Sequence, residues 1–123
     1  MMGVRGRRWG ARTLKSMTVW EADHLGDGYE QTTMHLTSDS EGEVVATLVR
    51  SLPSPARLLP RLLGHARPFD GVDVLYVHGW SDYFFNTEFA EFWTSRGARF
   101  FALDLRKYGR SLRPWQTPGY VER

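Results

Sequence analysis

Cysteine is absent from the 123 residues. That excludes a disulfide framework and any thiolate metal site, and it suits a cytoplasmic location. No apolar run approaches the ~18 residues of a membrane-spanning helix. The four histidines, His24, His35, His65 and His78, are scattered without ligand spacing, so no metal and no other cofactor is expected. No Gly-rich phosphate fingerprint follows either apolar run, which argues against a nucleotide-binding turn. Repeats and low-complexity tracts are missing. Acidic residues are missing from residues 1–16, which carry Arg5, Arg7, Arg8, Arg12 and Lys15. The net charge of +2 therefore describes the head of the chain: without those five cations, 11 Lys and Arg face 14 acids, a net of −3.

A basic arm of this kind can hold nucleic acid or an anionic membrane. No aromatic-basic interleaving continues into the acidic body, so nucleic acid is not the expected partner. Residues 1–16 are read as a basic, disordered leader, upstream of an alternative start at Met17, and residues 17–123 as one small domain. Arg7-Arg8 is followed by no apolar segment, so export is rejected. An aromatic share of 14% demands a packed core.

The body reads as an α/β pattern. A turn-rich patch, Asp23–Gly28, precedes a strand from Tyr29 to Leu36. Polar residues Ser38–Gly42 connect it to a second strand, Glu43–Arg50, as an antiparallel pair at a sheet edge. Four prolines between Ser51 and Gly71 allow only an irregular connection with one short helical turn, its Leu58, Leu59, Leu62 and Leu63 lying over the core. Val72–Val77 is nearly continuously apolar, as in a strand buried on both faces. Asn86 or Thr87 caps a helix whose Phe85, Phe89, Phe92 and Trp93 form one face, and Gly97 ends it in a left-handed conformation. Arg99–Leu103 is another buried strand ending at Asp104. Residues 72–103 thus form a βαβ unit, requiring a parallel pair and a right-handed crossover. The tail, Leu105–Arg123, is loop-like.

Two motifs stand at the ends of the two apolar strands: His78-Gly79-Trp80-Ser81-Asp82, and Asp104-Leu-Arg-Lys-Tyr-Gly-Arg-Ser111. With the preceding strand pair, they make residues 29–113 resemble the N-terminal third of an α/β-hydrolase. The likeness is to its serine aminopeptidase-like and monoacylglycerol lipase-like (lysophospholipase-like) branch. The second motif resembles that family's Asp-x-Arg-Gly-x-Gly-x-Ser loop, departing from it with Lys107 where Gly is usual.

The resemblance implies a partial α/β-hydrolase sheet, cut before the nucleophile elbow. It implies a serine hydrolase of an ester or amide substrate. Its Ser nucleophile, acid and His base are expected beyond Arg123. Acyl transfer needs fixed N–H donors aimed at the developing oxyanion. By resemblance the Trp80 backbone N–H is one, with Gly79 letting the backbone come close and His78, Ser81 and Asp82 supporting the loop. Tyr83 and Phe84 are candidate pocket wall. Gly79-Trp-Ser81-Asp-Tyr83 and Gly109-Arg-Ser111-Leu-Arg113 lack the second Gly of Gly-x-Ser-x-Gly, and no His follows His78, so neither serine is expected to be the nucleophile. His24, His35 and His65 are expected at the surface or in packing. Asp82 could touch a substrate, but an Asp in a turn more often makes a local bond. The nucleophile strand would pair beside Val72–Val77, so that edge is expected to be exposed and to promote self-association. The alternatives are a small non-enzymatic α/β binding domain, flavodoxin-like in pattern, or a nucleic-acid binder using the leader.

Overall fold

The computed structural model describes residues 18–122. The basic leader and the start at Met17 lie outside them. Five strands, β1 (Glu21–Ala22), β2 (Tyr29–Asp39), β3 (Gly42–Ser51), β4 (Asp73–Val77) and β5 (Arg99–Asp104), form one mixed sheet in the order β1-β2-β3-β5-β4. β2 and β3 are antiparallel, β3 and β5 antiparallel, and β4 and β5 parallel. The strand pair followed by a parallel β-α-β segment is the architecture expected from the pattern. β1 was not legible: two residues just ahead of the turn-rich patch carry no strand period, and pairing with Gln31 and Glu30 makes the strand.

The β2–β3 connection is tighter than the polar run suggests. Asp39 pairs directly with Gly42, and a register shift between Leu36 and Asp39 absorbs the extra residues. The Asp39 carboxylate accepts from the Glu41 N–H at 2.9 Å, and Gly42 takes a positive φ of 97° that closes the turn.

The strand buried on both faces is β3, where Val44, Val45, Ala46 and Thr47 are all buried in succession. β4 was expected in that role, and the structure corrects this. β4 lies at the sheet edge with one face toward helix α2 (Thr87–Thr94), so Val74 and Tyr76 are half-buried while Leu75 and Val77 are 58% and 49% exposed. An apolar run therefore marked a strand whose second face is uncovered among the described residues.

α2 begins as expected. Asn86 Oδ1 accepts from the Phe89 N–H at 3.0 Å, satisfying one free donor of the first turn. Its end is a paired closure: Gly97 N–H donates to Thr94 O at 3.1 Å and Ala98 N–H to Trp93 O at 3.2 Å, with Gly97 at φ 102°. The face it buries differs from the expected one. Ala90 and Thr94 are buried, whereas Phe85, Phe89 and Phe92 are exposed. A small residue at the closest approach lets the helix sit on the sheet, and the larger rings flank it. The core is Val49, Phe84, Ala90, Phe100 and Ala102. Full burial of a residue such as Phe84 or Phe100 contributes about 1.5–3 kcal/mol.

The proline-rich connection holds a two-turn helix, α1 (Pro55–Leu62), with Pro60 inside it. It does not cover the core. Leu58, Leu59, Leu62 and Leu63 are all exposed, Leu62 to 81%. The tail has no long element beyond a 3-10 turn at Gly109–Ser111, yet it is docked: Trp115 Nε1 donates to Glu41 O, Gln116 Nε2 to Glu43 O and the Thr117 N–H to Glu41 Oε1. Among the described residues no helix is long and apolar enough to cross a membrane.

Candidate active site

β4 and β5 run parallel, so the loops that follow them emerge at the same end of the sheet, where ligands bind in open α/β folds. The loop after β4 is pinned at both ends by the loop after β5. At its start, His78 is buried and its Nε2 accepts from the Leu105 N–H at 2.9 Å. That leaves His78 Nδ1 as the donor to Gly79 O at 2.7 Å, which fixes a neutral tautomer. His78 anchors the loop, and with both nitrogens engaged it holds no free base.

At the other end, Phe84 is held on both sides of its residue. Asp104 Oδ1 accepts from the Phe84 N–H at 2.9 Å, and Arg110 Nη1 donates to Phe84 O at 2.8 Å. Between the two pins, Gly79–Tyr83 forms an arc at the surface. Trp80 is 84% exposed and Ser81 adopts a left-handed φ of 58°. Asp82 Oδ1 accepts from the Tyr83 N–H at 2.8 Å, a local turn bond. Trp80 and His78 both pack against Tyr108 in T-shaped pairs, with ring centroids 6.1 and 5.1 Å apart. Phe84 is 1% exposed and belongs to the core, not to a pocket wall; Tyr83 is at the surface. A Cβ built on Gly79 meets nothing within 4 Å, and its φ is outside the left-handed region, so the fold itself does not demand glycine there.

A charged network lies under the arc. Arg110 donates from Nε to Asp23 Oδ2 at 2.8 Å, from Nη2 to Asp23 Oδ1 at 2.7 Å and from Nη1 to Asp104 Oδ2 at 2.8 Å. Both carboxylate side chains are fully buried. Beside it, Lys107 is fully buried at a left-handed φ of 59°, with Nζ 2.6 Å from both Asp39 Oδ2 and Glu41 Oε2. Burial opposes its charge, and the two carboxylates outweigh burial and raise its pKa; their own pKa values are lowered, chiefly by its hydrogen bonds. Ser111 Oγ is buried between Thr47 Oγ1 at 3.0 Å and Asp104 O at 2.8 Å, a structural role. His24 and His35 are exposed beside Asp23 and Glu43, and His65 is exposed.

The pH response of the network has a defined sign. Burial raises the Asp23 pKa, but the Arg110 hydrogen bonds and charge, His24 and the Leu25 N–H together hold it below its ordinary 3.8. A carboxyl depressed in the folded state stabilises fully above its unfolded pKa, and that contribution is lost as pH falls through the folded value. Thermal melts are expected to drop below about pH 4, and to drop less in Asp23→Asn.

Sequence reasoning singled out the Asp104–Ser111 motif but not the burial of Lys107 and Arg110. Their partners lie far off in the chain, Asp23 being 87 positions before Arg110. A residue with a long cationic side chain in a usual Gly position was the one available signal for Lys107.

A cleft of about 340 Å3 among Arg50, Arg67, Arg99 and Phe101 lies at the opposite end of β5, and an open groove of about 860 Å3 runs along Trp20, Thr32, Met34 and Leu48. Neither touches residues 78–83. Among the described residues no group of three or more His, Cys, Asp or Glu can hold a metal ion.

No protein-family model matches the chain. No solved structure matches it either. A 60-residue stretch is 38% identical to the AB hydrolase superfamily protein YisY of Bacillus subtilis (strain 168), covering 47% of this chain and 20% of that protein. The matched stretch thus spans about a fifth of that relative's length. The similarity supports an α/β-hydrolase relationship.

Proposed function

We propose that this chain is the N-terminal part of a serine hydrolase of the monoacylglycerol lipase-like or serine aminopeptidase-like branch, acting on an ester or amide. In this reading it supplies the Trp80 N–H to the oxyanion hole. The observation that carries the reading is the strand order β2-β3-β5-β4, with the arc at the end of β4 and the outer edge of β4 unpaired among the described residues. That edge is where the nucleophile-bearing strand belongs in the family this chain resembles. The pinned arc supports it further, because an oxyanion donor must be fixed before charge develops. His78 acts as an anchor, and Gly79 keeps open the space that a substrate carbonyl needs.

The 123-residue chain is expected to show no turnover of an activated short-chain ester and no labelling by a fluorophosphonate. Labelling of Ser81 or Ser111, abolished by its alanine variant, overturns the reading. A longer product of the same reading frame that carries a Gly-x-Ser-x-Gly elbow is expected to hydrolyse the ester. Trp80→Pro, which deletes the donor, is expected to lower its kcat by about 10²–10³-fold. A kcat unchanged by Trp80→Pro, at unchanged melting temperature, removes Trp80 from the hole.

A further inference from the structure

Lys107 is the residue by which this chain departs from the loop it resembles, and its surroundings give the departure a use. A left-handed backbone suits glycine, which bears no Cβ. Here a lysine accepts that conformation, and the backbone delivers its side chain into a slot with no solvent exposure. The slot has three walls. Asp39 and Glu41 from the β2–β3 turn hold the ammonium at 2.6 Å each, and the Tyr120 ring lies 4.6 Å from it. Lys107 O in turn accepts from the Gly119 N–H at 3.1 Å. One residue therefore ties the loop after β5 both to a hairpin turn more than sixty positions upstream and to the tail.

The next residue, Tyr108, faces the arc. Its ring makes T-shaped contacts with His78 and Trp80. Its hydroxyl end meets Gly119 of the tail, where a Cβ would come within 2.8 Å of Tyr108 Cζ. Tyr108 thus touches the arc through Trp80 and the tail through Gly119, whose N–H is bonded to Lys107 O.

We infer that Lys107 is a positioning residue for the Gly79–Tyr83 arc: its buried ammonium, clasped by Asp39 and Glu41, fixes Tyr108 against His78 and Trp80. The catalytic consequence rests on the oxyanion reading proposed above; the positioning does not, and it is tested without activity.

Two variants of the 123-residue chain separate charge from backbone. Lys107→Gly deletes the ammonium and relieves the left-handed conformation. Asp39→Asn with Glu41→Gln leaves Lys107 in place and alters only groups remote from the arc. In both, the Leu105 amide, which donates to His78, is expected to exchange about tenfold faster than in the unmodified chain. The nuclear Overhauser contact between the Tyr108 and His78 rings is expected to weaken, while core amides of Val49 and Ala102 keep their protection. If the Leu105 amide and the ring contact are unchanged in Asp39→Asn/Glu41→Gln, the clasp is local to the turn and the inference fails. Equal loss at Leu105 and in the core overturns it too, because that is global destabilisation. If Lys107→Gly does not fold, the double variant alone decides between these outcomes.

Discussion

Arg110→Met is expected to destabilise the fold by about 3–5 kcal/mol, the usual cost of removing one partner from a buried ionic network. The arrangement explains why the upper half of that range is expected. Arg110 has a side chain only 5% exposed and serves two carboxylates that are fully buried. Its removal leaves the Asp23 carboxylate without its two-pronged partner and Asp104 without one of its donors. It also strips the Phe84 carbonyl of the donor at 2.8 Å. Asp104 keeps the N–H groups of Phe84 and Arg110, at 2.9 and 3.0 Å, so Asp23 is the more damaged of the two. Arg110→Lys is not a conservative replacement. An ammonium cannot match both oxygens of Asp23 in one plane while reaching Asp104 and Phe84 O. For a domain whose total stability is about 5–15 kcal/mol, either change takes a large share. Urea denaturation followed by tryptophan fluorescence measures it. Adding Asp23→Asn to Arg110→Met should recover part of the loss, because one uncompensated charge is then gone. A loss under about 1 kcal/mol would mean that water reaches the network and that the pin at Phe84 does not depend on it.

That network shows where reading the sequence stops. Strand and helix positions were legible wherever local chemistry decides them: the β2–β3 pair from its strand-forming residues and polar turn, the start of α2 from Asn86, its end from Gly97. What failed was burial. Val72–Val77 and the phenylalanines of α2 were read as covered because they are apolar, and the structure leaves many of them open. Leu58, Leu59, Leu62 and Leu63 failed in the same way. Apolar periodicity reports which face a residue lies on, not whether a second layer exists to meet it. Of the candidate site, the two loops were located from their motifs. The forces that hold the loops were not. Lys107 and Arg110 carry the charge of surface residues, and only the fold brings Asp23, Asp39 and Glu41 to them. Phe84 was read as candidate pocket wall by resemblance; Asp104 and Arg110 hold its backbone, and its ring lies in the core.

The two glycines of the site are expected to respond in opposite ways to the same small change. Gly109→Ala is expected to cost about 1–2 kcal/mol for placing a side chain in the left-handed region, and about 1–3 kcal/mol more for overpacking. Gly109 has a φ of 48°, and a Cβ there strikes Tyr83 Cβ and lies 2.6 Å from Asp104 Oδ2. Neither neighbour can yield freely. The Asp104 carboxylate is fixed by the N–H groups of Phe84 and Arg110 and by the Arg110 guanidinium. Tyr83 Cβ is bonded directly to the backbone of the arc, so the clash is relieved by moving the arc or by breaking the network. Gly79→Ala meets no atom within 4 Å and requires no left-handed backbone, so its effect on stability is expected to stay within about 0.5 kcal/mol. Thermal melting of the two variants beside the unmodified chain measures the contrast, and exchange of the Phe84 amide reports whether the arc has shifted. A Gly109→Ala protein as stable as Gly79→Ala would mean that the two loops are not packed as described. A large loss at Gly109 with a silent Gly79 would leave the glycine of the His-Gly motif free of any folding duty. The reason for its presence would then lie in what approaches the arc from outside.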